Sequence, residues 1–194
     1  MNLQKRVTNI LIQPASEWPA IAAEPTDGMG LYKNYILILA AIPAVCLFLS
    51  VATSFAGVFP LGGALSGAIA LYVQSLVSVL IAAVIIEKLA PTFGSSGDTV
   101  QALKLVAYAN TPVWLAGVFY LVRFLSPAAM LIALLYAIYL FYLGLPPLMK
   151  TPKDKVIPYM LVSALVIIIV TFVLGAIMAA MGFVTGAFGY GRMY

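Results

Sequence analysis

A chain of 194 residues with 64% hydrophobic and only 8% charged residues falls outside the water-soluble globular class, where roughly a quarter of residues carry charge. The absence of histidine removes HExxH zinc chemistry, histidine acid–base work and Ser–His dyads, and the lone cysteine, Cys46, excludes a disulfide within the chain. The net charge of +4 comes from scattered lysines and arginines that form no stripe, so nucleic acid is not an expected partner.

Residues 1–34 read as a short amphipathic arm on the cytoplasmic side. Leu3, Val7, Ile10 and Leu11 recur at helical spacing opposite Gln4, Lys5 and Asn9, and Pro14 stops that pattern. A second short helix is expected over SEWPAIAAEP, with Ser16 as its N-cap and Pro25 as its stop. Pro14, Glu17 and Trp18 interrupt the first apolar run where the core of a cleavable signal would continue. Trp18 is a headgroup-seeking residue type, so the arm is expected to lie along the membrane surface. Glu17 and Glu24 share a helix face two turns apart, where they would hold a cation or a basic partner, or simply stay solvated. TDGMG at 26–30 is turn chemistry that parts the arm from the first span.

Five apolar segments come next, near 35–57, 64–86, 103–122, 127–147 and 157–181, and about 20 residues suffice to cross a ~30 Å hydrocarbon core. The expected fold is therefore an all-α integral membrane protein, a five-transmembrane-helix bundle forming one membrane domain behind the arm. Pro43 and Pro112 predict kinks in the first and third spans. Gly63/Gly67, Ala40/Ala44 and Ala176/Ala180 have the small-xxx-small spacing that lets helices approach closely in lipid. With the arm inside, Lys5, Arg6, Lys33, Lys88, Lys104, Lys150, Lys153 and Lys155 fall on the cytoplasmic side and Arg123 and Arg192 outside, a positive-inside ratio of eight to two. An odd number of spans then puts the glycine-rich C-terminal tail outside.

The third span holds the most informative stretch, LKLVAYANTPVWLAG at 103–117. Asn110, Thr111 and Pro112 lie in succession inside an apolar run, where no water is present to satisfy them. Pro112 also withholds a donor from the carbonyl of Tyr108. Such polar groups at membrane depth mark either a helix-packing centre or a ligand or transport site. The fourth span returns antiparallel across the short FLS turn and brings Tyr136, Tyr139 and Tyr142 round one broad face. At 1.5 Å per residue, Asn110 lies roughly 10 Å from the cytoplasmic boundary and Tyr139 reaches about that depth, so Asn110 or the Tyr108 carbonyl is an expected partner for a tyrosine hydroxyl.

Glu87, where the second span meets the cytoplasm, would bind a cation or a partner, or pair with Lys104 at the start of the third span. Lys150, Lys153 and Lys155 form a basic cluster for anionic lipid or an acidic partner, or serve only to set topology. Asp27, Asp98 and Asp154 all fall in loops, so no membrane-embedded aspartate pair exists, and there is no Walker loop. Catalysis, a metal centre and a cofactor are not expected.

The amino-terminal P-x-x-E-W-P-x-I (Pro14, Glu17, Trp18, Pro19, Ile21), the AAIPA of the first span, AYANTPVWLAG in the third and the exit YLFYLGLPPLMKTPKDK of the fourth resemble the YIP family (Ypt/Rab-interacting protein, YIP-one domain), its short-armed bacterial branch in particular. The resemblance covers nearly the whole chain. It implies a five-helix integral protein of the bacterial inner membrane with its N-terminus in the cytoplasm. Tyr108, Asn110, Thr111, Pro112 and 144–146 fall on the family's patterned positions. Eukaryotic members look to small prenylated GTPases and vesicle traffic, but they carry a long cytoplasmic N-terminal domain that this sequence lacks. The leading expectation is a non-enzymatic protein that organises membranes or scaffolds membrane partners or its own copies. The alternative is a small transporter or a lipid- or ion-handling protein with a polar cavity between the first, third and fourth spans.

Overall fold

The computed structural model describes residues 2–54 and 61–180. Among the described residues the chain is helical throughout, without strands, and five helices are long and apolar enough to cross a membrane. The expected external tail, with Arg192, lies outside the described residues.

Two short helices come first, α1 (Leu3–Ile12) and α2 (Pro14–Ala23). Asn2 caps α1 by accepting from the Lys5 amide at 3.2 Å. Helix α2 begins at Pro14, ahead of the expected Ser16 cap, because proline is pre-set for the first helical turn and needs no amide partner there. The first apolar helix begins at Gly28 rather than at 35 and combines α3 (Gly28–Leu31), a π-helical turn (Tyr32–Ile36) and α4 (Leu37–Ser54). Pro43 stays inside a continuous α4. The second apolar helix is α5 (Leu61–Leu89) with a 3₁₀ turn, Ala90–Phe93.

The third is broken where its sequence foretold. Helix α6 (Thr99–Ala109) is started by Asp98, whose carboxylate accepts from the amides of Val100 at 2.8 Å and Gln101 at 3.3 Å. It stops at Asn110, and Pro112 sits in the first turn of α7 (Thr111–Ala116), which runs out through a 3₁₀ turn, Gly117–Leu121. Helix α8 (Ser126–Met149) and helix α9 (Val156–Ala180) complete the bundle, joined through Lys150 in the left-handed region (φ 52°) and a 3₁₀ turn, Lys153–Lys155.

Burial ranks the five. In the most apolar 18-residue stretch of the third span 67% of residues are buried and this helix forms the axis, whereas in the fifth the share is 6% and the helix lies at the periphery. Ala40, Ala44, Ala64 and Ala68 are buried on the helices α4 and α5, which pack together, whereas Ala176 and Ala180 of the third such spacing are exposed. At the far end of α7, a Cβ on Gly117 would come within 2.5–3.0 Å of Pro43 backbone and side-chain atoms, so only glycine admits that crossing.

Candidate functional site

The arm folds back onto α6 and α8. Ile10, Trp18 and Ile21 are core residues, and Trp18 is only 1% exposed. Its indole stands edge-on to Tyr108 at 6.4 Å between centroids, and Tyr108 in turn meets Tyr35 edge-on at 4.6 Å. Gly144 of α8 makes room for the indole: a Cβ there would lie 2.9 Å from two Trp18 ring carbons and 2.6 Å from a Leu105 methyl. The headgroup reading of Trp18 failed because residue type was weighed without the cradle that α8 supplies.

Charges are gathered at the same junction. Arg6 forks to both Glu17 and Glu24 and lies over the Tyr108 ring, 5.8 Å from its centroid. Asn9 donates to the other oxygen of Glu17 at 3.0 Å. Glu17 of α2 and Glu24 at its C-terminal cap thus take a basic partner from the chain's own α1. Lys104, 2% exposed, donates from Nζ to the carbonyls of Ile21 at 2.9 Å and Glu24 at 2.6 Å, and Gln101 donates to the Ala22 carbonyl at 3.3 Å. A cation thereby satisfies carbonyls at the end of α2, where a helix leaves them orphaned and its dipole favours positive charge. Arg6 and Lys104 against Glu17 and Glu24 sum to zero, which is how four charges come to be tolerated in and around an apolar core.

The expected Glu87–Lys104 pair is therefore not formed. Glu87 accepts from Thr99 at 2.7 Å and approaches Lys88 at 3.5 Å, holding the loop that precedes α6. The expected tyrosine–Asn110 bond is also absent: Tyr136 donates instead to the Leu11 carbonyl of the arm at 2.6 Å, and Tyr139, tilted against Tyr136 at 5.8 Å, is half exposed. Thr111 and Asn110 part company. Thr111 is buried and bonded to the Tyr35 hydroxyl at 2.7 Å, whereas the Asn110 side chain makes no hydrogen bond among the described residues. Pro112 is buried. Lys150, Lys153 and Lys155 are exposed on the connection between α8 and α9, at the end of the bundle where the arm sits.

Sequence reasoning missed Arg6, Tyr35 and Gly144 as parts of this junction. The signal for Arg6 was present: a cation with nothing acidic on its own helix and two glutamates on the next. The π-helical turn that aims Tyr32 at the Leu76 carbonyl (2.6 Å) and Tyr35 at Thr111 has no signature in residue type. Among the described residues no cluster of His, Cys, Asp or Glu could hold a metal ion.

Searches among curated proteins and among solved structures return no match. The family model for the Yip1 domain matches residues 8–189, a stretch that takes in the docked arm from within α1 onward and all five apolar helices. The chain belongs to the Yip1 domain family of membrane proteins.

Proposed function

We propose that this protein is a non-enzymatic organiser of a bacterial inner membrane, acting as a scaffold for membrane partners through its helix faces and the outer surface of its arm. The observation that carries this reading is that polar groups of the arm junction and of several helix contacts find their partners within the chain. The four charges of the arm junction neutralise one another, and the hydroxyls of Tyr32, Tyr72, Tyr136 and Tyr159 donate to backbone carbonyls at Leu76, Leu37, Leu11 and Ile86. Each bond ties one helix to another and acts as interhelical glue. Apolar surface is left outward along α8 and α9, and Ile12 stands 71% exposed on the arm.

The orientation proposed places the arm and the Lys150, Lys153 and Lys155 connection in the cytoplasm and the C-terminus outside. The eight-to-two distribution of basic residues supports it, and the arm and both polar connections meet at one end of the bundle through Lys104–Glu24 and Ser95–Thr151. Extraction of the full chain into native lipid discs, with mass spectrometry of everything retained, tests the scaffold. A stoichiometric protein partner is expected, lost from the Lys5→Glu, Ile12→Asp variant, whose changes leave the docking contacts intact. Retention of lipid alone by the wild type would overturn the reading.

A further inference from the structure

The arm touches the spans at one end only. The Ala22 carbonyl accepts from Gln101, those of Ile21 and Glu24 accept from Lys104, and Trp18 meets Tyr108, so on the third span the contacts fall within residues 101–108. On the fourth span, Trp18 fills the space that Gly144 leaves and the Leu11 carbonyl accepts from Tyr136. Thr99 begins the third span, and Tyr136 stands midway between Arg123 and Lys150, the charges that bracket the fourth. The arm therefore lies against the half of the bundle that ends in the Lys150–Lys155 connection.

Each arm helix is 10 residues long. Seen end-on, a helix about 10 Å across takes up roughly 80 Å², so the two add roughly 160 Å² on this side, and more where they lie flat. Among the described residues no helix stands beside the spans at the other end. There the first and third spans close up instead, since a Cβ on Gly117 would meet Pro43 atoms at 2.5–3.0 Å. The outward face of the arm mixes exposed Ile12, Ala15 and Pro19 with exposed Lys5 and Gln13, a blend suited to the level where headgroups meet acyl chains. Lipid is thus displaced from one leaflet without a match in the other. That asymmetry holds whether the tip of the arm reaches the chains or stops among the headgroups.

We propose that the docked arm makes this protein a wedge whose partner is a bilayer convex on the arm's side. On a convex face the headgroups spread and expose apolar gaps that the wider end of the molecule fills; on a concave face they crowd it. This rests on the organiser reading, to which it adds the bilayer itself as the thing organised. The test uses the full chain with Cys46→Ala and Lys153→Cys, labelled at the new, exposed thiol with a nitrobenzoxadiazole dye. It is reconstituted into phosphatidylethanolamine–phosphatidylglycerol vesicles of mixed size, and dithionite, which does not cross the bilayer, separates copies with the arm outward from copies with the arm in the lumen. Single-vesicle imaging then gives the density of each against vesicle size. Arm-outward copies should be roughly twofold denser on small vesicles than on large ones, and arm-inward copies sparser there. Arg6→Glu, which sets a third carboxylate against Glu17 and Glu24 and releases the arm, should remove the difference between orientations. Leu121→Trp with Ala128→Trp, both at exposed positions of the other end, should reduce it without touching the arm's seat. Equal sorting of the two orientations, enrichment of arm-inward copies on small vesicles, or sorting unchanged in both variants would overturn the proposal. Lipid discs are flat and report partners, whereas vesicles of purified protein report curvature, so the wedge and the scaffold fail separately.

Discussion

Gly144→Ala is the smallest change that asks whether the arm is seated as described. The new Cβ would stand 2.6 Å from the Leu105 methyl and 2.9 Å from the Cε2 and Cζ2 atoms of Trp18, closer than carbon atoms tolerate. Neither neighbour yields easily: Leu105 is fully buried, and Trp18, 1% exposed, is backed by Tyr108. Overpacking of this kind costs about 1–3 kcal/mol. Alanine in place of a helical glycine returns about 0.5–1 kcal/mol. The balance is a net loss of about 0–2.5 kcal/mol, up to a few degrees in a detergent melt of a chain this size. In a Trp18→Leu background the two ring contacts are gone while the 2.6 Å approach to the Leu105 methyl stays, so the same Gly144→Ala change should cost less. Thermal unfolding of the four proteins of this cycle, followed by circular dichroism, measures the coupling. An equal effect of Gly144→Ala in both backgrounds would refute the seating of Trp18 against α8.

The charged junction makes graded predictions. Glu17→Gln should loosen the arm by about 1–3 kcal/mol and Glu24→Gln by less, because the Glu17 side chain is 12% exposed and that of Glu24 32%; the order is read from amide hydrogen exchange over α1. Lys104→Met leaves the carbonyls of Ile21 and Glu24 without their donor and the junction with an excess negative charge, and should destabilise by about 2–3 kcal/mol, seen as protease cleavage within residues 13–27. Tyr35→Phe and Thr111→Val remove the same bond from either side, so each should cost about 0.6–1.7 kcal/mol and the double variant no more than the larger single effect in thermal melts.

Five spans were legible because the hydrocarbon core demands about 20 apolar residues, a constraint that acts on composition directly. The break at Asn110 was legible because proline removes a donor whatever surrounds it. The partners expected around the third span were not the ones found: Tyr136 meets a backbone carbonyl of the arm, and Lys104 two more. Those partners are backbone atoms 80 or more residues away in sequence, and no side-chain type announces them. Trp18 shows the same limit, since an indole suits a headgroup layer and a glycine-floored slot equally well until Gly144 is known to lie opposite.

The central claim is that the arm is part of the membrane fold and not a rider on its surface. With Trp114→Phe, Trp18 is the sole tryptophan, and its fluorescence in vesicles reports its surroundings. Burial between α2, α6 and α8 predicts blue emission that neither aqueous iodide nor brominated phospholipids quench appreciably. Strong quenching by brominated lipid would place the indole among headgroups and chains, and strong quenching by iodide would place it in water; either result would contradict the account.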